Sequence, residues 1–257
     1  KLVLDGLGAS IVVGEMTWAH EIALSRLINS KGASMYVCPH TVRYPYSRFA
    51  FFFDEYQSSV VKPVNAEWQK GLVQLELKKP DYLSLNDNLM KHIGSLGALV
   101  GRFWRFLVGV NTDASDITVV PLSVRKVIFR LRGELNRVIF PLIKRRYFVS
   151  PDLTREYYVY FMHKQPEASV DVVGRYYSDQ LELVRNISTF LGTKTLYVKE
   201  HSNAAGDRKL SFYKRLSKLT NVVFVDETAD SYSLIKSAQA IFTVSGTVAI
   251  EAALMQK

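Results

Sequence analysis

A single cysteine, Cys38, in a chain of 257 residues leaves nothing for it to pair with inside the molecule. That excludes an internal disulfide framework and a cysteine-built zinc cluster, and it fits a reducing compartment. The five histidines stand apart from one another, without the close pairing a metal site needs. No uninterrupted run of about 18 or more apolar residues occurs, which argues against a membrane span. The apolar opening from Leu2 to Val13 carries Asp5 and leads into a helix-like pattern, so it reads poorly as a signal peptide. With 48% hydrophobic and 22% charged residues, neither disorder nor a collagen-like repeat is indicated. The chain begins at Lys1 rather than Met and stops at Lys257 within a helix-like pattern, so a piece of a longer protein is expected.

What the chain has in excess is positive charge, +9 overall, and that charge is concentrated. Between Pro121 and Arg146, Arg125, Lys126, Arg130, Arg132, Arg137, Lys144, Arg145 and Arg146 face only Glu134. Nucleic acid, an acidic sugar chain, a nucleotide or an anionic membrane would each fit such an excess. Nucleic acid is the weakest of these, because the stretch contains no reader motif and its aromatic neighbours look like core.

Hydrophobic periodicity predicts an α/β fold in two domains, 1–149 and 150–257. In the first, a strand over Ala9 to Val13 precedes a helix over Met16 to Asn29, which Gly32 ends. A strand over Ser34 to Cys38 then breaks at Pro39-His40, Phe49 to Phe53 forms a short strand, and Pro80 to Val110 is helical. Leu122 to Ile139 is the clearest amphipathic helix, with Val124, Val127, Ile128, Leu131, Leu135 and Val138 recurring at three- and four-residue steps. Pro141 is expected to kink or end it, and the Ser150-Pro151-Asp152 turn to mark the boundary.

Beyond that turn, strands and helices alternate. Strands are expected at Glu156 to Met162, Thr195 to Glu200, Val222 to Val225 and Ala240 to Val244. Helices are expected at Tyr176 to Leu191, Lys209 to Leu219 and Ser231 to Ser237. Such alternation implies a parallel sheet wound as in nucleotide-binding folds, whose ligands sit beyond the carboxyl ends of the strands. All four ends are polar: His163 to Glu167, Lys199 to His201, Asp226-Glu227, and Ser245 to Thr247. The last end opens a helix from Ser245-Gly246-Thr247, placing bare amides, two hydroxyls and the positive end of a helix dipole at one point, which suits a phosphate. Small residues also cap helices well without any ligand. Glu251, four residues beyond Thr247, lies on the same helical face, within reach of a ribose.

Four segments together carry a family resemblance: Phe161-Met162-His163-Lys164-Gln165-Pro166-Glu167, Tyr197-Val198-Lys199-Glu200-His201, Asn221-Val222-Val223, and Val244-Ser245-Gly246-Thr247-Val248-Ala249-Ile250-Glu251. In this order they resemble bacterial capsular polysaccharide biosynthesis proteins, in particular the C-terminal half of the capsule-type Kdo transferases. The resemblance spans about Tyr157 to Lys257 and is much looser before Ser150. It implies a GT-B glycosyltransferase: two Rossmann-like domains facing across a cleft, with the nucleotide-sugar donor, CMP-Kdo being one candidate, on the C-terminal one. The acceptor, a polysaccharide or lipid-linked saccharide, would lie on the other. It further implies no metal and no cofactor besides the donor, and a cytoplasmic enzyme, peripheral on the inner membrane if it meets a lipid-linked acceptor. By the same resemblance Ser245, Gly246 and Thr247 hold the donor phosphate, His201 with Lys199 beside it contacts the nucleotide, and Glu251 contacts the ribose. His163, Gln165 and Glu167 line the cleft near the transferred sugar. The relatives often carry Pro after the second histidine where this chain has Ser202.

Glycosyl transfer needs positive groups at the leaving phosphate and a base or nucleophile on the sugar side. Glu15, directly after the first strand, is the preferred base, with His163 as a second catalytic candidate; Asp5, His20, His40, Asp54 and Glu55 remain open. His20 and His92 read as ordinary helix residues. Each candidate also has a plain reading as a strand-end charge, a satisfied histidine or a helix cap. The basic helix is either a packed helix with solvated charges or an anchor on an anionic membrane; exposure of Val127, Leu131 and Leu135 favours the anchor, and burial of all three excludes it. Trp104, Phe103 and Phe106, next to Arg102 and Arg105, form a second candidate patch, for a membrane or for contact between domains. Two other readings stand beside transfer: a sugar-nucleotide epimerase or hydrolase on the same fold, and a non-catalytic polysaccharide-binding assembly module.

Overall fold

The computed structural model describes residues 8, 10–30, 32, 34–42, 48–54, 56, 96–108, 123–204 and 206–257. They belong to two compact units, one drawn from 1–78, 164–180 and 243–257, the other from 79–163 and 181–242. Asp5, Glu55, His92, the side chain of His40 and the helical pattern expected over 80–95 lie outside the described residues.

In the first unit, strand β1 (Ile11–Val13) leads to helix α1 (Ala19–Asn29) and then to β2 (Met35–Val42) and β3 (Arg48–Phe52). β2 is central, parallel to β1 and antiparallel to β3. α1 starts three residues later than the sequence pattern suggests, because the Glu21 carboxylate accepts the amides of Thr17 and Trp18 (2.8 Å each). Those amides precede the helix and have no intrahelical acceptor, so a third-position glutamate is the natural partner. α1 buries Ile22 and Ile28, and at its end Asn29 accepts the Tyr36 amide (2.8 Å) while donating to the Phe53 carbonyl (2.6 Å). One side chain thus ties the helix to β2 and to the residue after β3.

The expected break at Pro39 does not occur, because β2 runs through it. Met35 donates to Ser10 and Gly14 donates to Val37, so odd-numbered residues of β2 turn their backbone groups toward β1. β1 ends opposite Val37. By that alternation the position of Pro39 asks for an amide where no partner strand remains, so its missing N–H costs the sheet nothing.

The second unit holds α2 (Leu96–Val108), α3 (Val124–Tyr147) and a five-stranded parallel sheet. In chain order its strands are β4 (Phe148–Val149), β5 (Tyr158–Phe161), β6 (Leu196–Lys199), β7 (Val222–Val225) and β8 (Ile241–Phe242); in space they run β4-β7-β6-β5-β8. Helices α4 (Gln180–Leu191), α5 (Leu210–Leu216) and α6 (Ser231–Ser237) make the crossovers. α4 starts four residues later than expected, because Tyr176 and Tyr177 belong to a 3-10 turn (Arg175–Tyr177) that follows a π-helical turn (Ser169–Val173). α6 begins where its Asp230 cap accepts the Ser233 amide (2.9 Å).

This is an α/β unit compatible with a Rossmann-like fold. The chain leaves β5 toward β6 on one side and later returns to β8 on the other, so the strand order reverses at β5. In open parallel sheets the ligand crevice lies outside the carboxyl ends of the strands at such a reversal. Tyr160, Leu196, Val198, Tyr213, Leu216 and Phe224 form the core with Phe140 and Ile143 of α3. The helix placed by its sequence in the N-terminal half therefore shares its core with the C-terminal sheet, and the boundary expected between 149 and 150 falls at the end of β4, inside one unit.

α3 also continues past Pro141, so the proline does not end it. An interior proline costs a helix about 3 kcal/mol. Phe140 and Ile143, on either side of it, are buried in the core, and Lys144, Arg145 and Arg146 complement the dipole in the last turn. Packing of the flanks outweighs the lost hydrogen bond.

Candidate functional site

Of the candidates, the first unit contains Glu15, Gln165, Glu167, Ser245, Gly246, Thr247 and Glu251, and the second His163, Lys199 and His201.

In the first unit three loops touch. The Ala168 amide donates to the Thr17 carbonyl (2.9 Å), joining the turn after β1 to the loop that follows β5. A Cβ on Gly174 would collide with Val244, so that loop also packs on the turn after β8. Glu15 is exposed at the first of these, its backbone carbonyl fixed by the Tyr36 hydroxyl (2.7 Å). Gly14 is required there, since a Cβ would run into the same hydroxyl.

Gln165 is a loop builder in this arrangement. Its amide nitrogen donates to Asp171 and to the Ser178 carbonyl (2.8 Å each), and its oxygen accepts from Gln180 (2.6 Å). Asp171 also accepts the Glu167 amide (2.9 Å). Burial pushes the Glu167 carboxyl up from its ordinary value, with Ser169 and Lys164 pulling against it.

The turn after β8 has the features of an anion cradle. The Thr243 hydroxyl donates to the Ser245 carbonyl (2.8 Å) and rounds off the turn. Gly246 adopts φ +93° and ψ 173°, a conformation essentially reserved for glycine, and α7 (Thr247–Leu254) starts at the next residue. The first amides of α7 lack intrahelical acceptors by construction. Beside them the Ser245 hydroxyl oxygen is buried and makes no hydrogen bond, an orphan that a bound phosphate oxygen would satisfy. Glu251, by contrast, is 5% exposed, so the helix buries the carboxylate expected at a ribose.

In the second unit the ends of β5 and β6 are clamped by a pair that sequence reasoning passed over. Glu200 is buried and accepts from Arg208 Nε (2.9 Å), from the Tyr213 hydroxyl (2.9 Å) and from the His201 amide (3.0 Å). Arg208 also donates through Nη2 to the His163 carbonyl. The two strand-end histidines thus have their backbones fixed by one ion pair. The signal available in the sequence was weak: a glutamate between Lys199 and His201, and an arginine in the Asp207-Arg208-Lys209 turn.

His163 is buried, and desolvation, with the positive fields of His201 and Arg208, lowers its imidazole from 6.5 to about 4. At neutral pH it is uncharged, a hydrogen-bonding group and not a cation for a phosphate. Its folded pKa lies below the unfolded one, so the unfolded chain takes up the proton first as pH falls. We expect about 2 kcal/mol of stability to be lost from this group between pH 7 and pH 5. In the His163→Gln variant that part of the pH dependence should vanish from urea melts; an unchanged slope would contradict the assignment.

His201 is half-buried, and its Nδ1 accepts the Asn203 amide (3.1 Å), which leaves the ring proton on Nε2. Lys199 is buried, with its amine donating to the Glu227 carbonyl (2.9 Å), so it braces the end of β7. Burial lowers its pKa, partly offset by Glu227, Asp226 and Glu200. Lys144 of α3 reaches the same turn, pairing with Glu227 (2.9 Å) and Asp226 (3.0 Å). Among the described residues no group of His, Cys, Asp and Glu side chains is arranged to hold a metal ion.

No known protein family, no curated protein and no solved structure matches the chain.

Proposed function

We propose that the chain binds a nucleotide-activated sugar and transfers the sugar, as a metal-independent GT-B glycosyltransferase of bacterial surface polysaccharide synthesis. The observation that carries this reading is the turn after β8, where a glycine-only backbone, a helix start and a buried, unsatisfied Ser245 hydroxyl coincide. Its support is the reversal of strand order at β5, the neighbour of β8 in the sheet, where parallel sheets take up their ligands. In this reading two Rossmann-like domains face each other across a cleft. The donor phosphate lies on Ser245, Gly246 and Thr247, and His201 Nε2 donates toward the nucleotide. Glu15 is the acceptor-side base, and neutral His163 hydrogen-bonds the sugar. Gln165 and Lys199 act by holding the loops and not by touching the donor, and Glu251 supports α7 from within. CMP-Kdo is one candidate donor, the acceptor is a polysaccharide or lipid-linked saccharide, and the setting is cytoplasmic.

The test is a thermal-shift panel of CMP, UDP, GDP and ADP. A ligand of the native state raises the melting temperature by mass action, by about 2.7 kcal/mol of stability at a hundredfold excess over Kd. One nucleotide should stand out, and failure of all four would refute the reading. Product analysis of the matching nucleotide-sugar with and without acceptor then separates transfer from epimerisation or hydrolysis, which proceed without one.

A further inference from the structure

We propose that α3 lies on an anionic lipid surface and holds the protein there, whatever reaction the chain performs. Val124, Ile128, Leu131, Leu135, Ile139 and Leu142 follow one another at three- and four-residue steps, so they share one face of the helix. Each is at least 40% exposed, and Val124 reaches 77%. The core is met by Phe140 and Ile143 on another face, so this stripe is additional to the packing that holds the helix in place. Of the three residues on which the membrane reading turned, Leu131 and Leu135 are exposed and Val127 is half-buried.

Charge selects the occupant. Arg125, Arg132 and Arg146 border the stripe at a seven-residue interval, and Ile139 takes the remaining place in that row. All three arginines are exposed and, among the described residues, none pairs with a carboxylate. The acid on this helix, Glu134, is buried and engaged by Arg102, Arg130 and Arg137 (2.8–3.1 Å), which hold its carboxyl below the usual range against the effect of burial. A second copy docking its own α3 on the stripe would bring exposed arginines together without a counter-charge, since the acid of that helix is buried. An anionic bilayer supplies both what the stripe lacks and what the arginines lack: an apolar layer to enter and negative headgroups beside it. No helix among the described residues is long and apolar enough to cross a membrane, so the geometry is that of a helix lying in the interface.

Flotation of the chain with vesicles of phosphatidylcholine alone, or with about one third phosphatidylglycerol, tests this. Binding is expected to the mixed vesicles only, and to fall about tenfold or more when salt is raised from about 0.1 M to about 0.5 M. The double variants Leu131→Asp/Leu135→Asp and Arg125→Glu/Arg132→Glu should each weaken it about tenfold or more with unchanged thermal melts, since all four side chains are exposed. No binding to mixed vesicles, or binding by both variants as tight as that of the unsubstituted chain, overturns the proposal. Self-association that Leu135→Asp abolishes, without vesicle binding, assigns the stripe to a second copy and overturns it as well.

Discussion

Replacing Arg208 with methionine is expected to lower folding stability by about 3–5 kcal/mol, read as a lower urea midpoint at an unchanged m-value. Methionine roughly preserves the side chain's stem but removes the charge that faces Glu200, which is 1% exposed. The carboxylate keeps the Tyr213 hydroxyl and the His201 amide and loses its counter-ion, while the His163 carbonyl loses a donor. Against a total of about 5–15 kcal/mol for a domain, such a loss is severe. The pH dependence gives the cause. Burial already raises the Glu200 carboxyl above its ordinary value, and loss of the guanidinium raises it further. A folded pKa above the unfolded one means that the folded state gains stability as pH falls through it. The deficit of the variant should therefore shrink as pH drops toward the ordinary carboxylate range. Adding Glu200→Gln should restore most of the stability, because the pair as a whole contributes little once neither half is left charged. A deficit below about 1 kcal/mol, or one that grows at low pH, would show that the ion pair does not hold these strand ends.

The strands of the second unit were legible because each is a short apolar run with polar ends. β7 and α6 fall on the expected residues, Val222 to Val225 and Ser231 to Ser237, where Asn221 and Asp226 bracket one and Asp230 caps the other. Pro39 did not break its strand and Pro141 did not end its helix, for one physical reason. The rule that proline breaks a segment is local, whereas Pro39 sits where β2 has run past the end of β1 and Pro141 sits between two residues buried in the core. Strand order cannot be read from periodicity, since β8 joins β5 across the whole sequence between them. The site was legible to the same depth. The polar strand ends marked out the candidate loops, yet their spacing did not say which side chains turn into the protein. Lys199 and Gln165 turned inward to hydrogen-bond the loops, Glu251 was buried, and the Glu200–Arg208 pair left only a weak sequence signal because its two halves meet only in the folded chain.

Two substitutions in the turn after β8 should separate a ligand site from a mere helix start. Gly246→Ala places a Cβ on a backbone at φ +93°, ψ 173°. About 1–3 kcal/mol of strain should follow, with distortion of the first turn of α7 and loss of the nucleotide-induced thermal shift. A structural defect alone would produce the same pair of results, so that variant does not suffice. Ser245→Ala discriminates, because its two readings predict opposite things. The Ser245 hydroxyl is buried without a partner, and a desolvated, unpaired group costs the folded state about 1–3 kcal/mol. Removing it should leave the ligand-free protein as stable as before, or more stable by up to about 1 kcal/mol, whereas removing a helix cap would destabilise by about that amount. If the hydroxyl is kept for a phosphate oxygen, the more stable variant should bind the nucleotide about tenfold more weakly, the trade expected where a site is held unsatisfied for its ligand. Equal stability with an unchanged nucleotide shift would make the hydroxyl a packing accident and remove the phosphate from this turn.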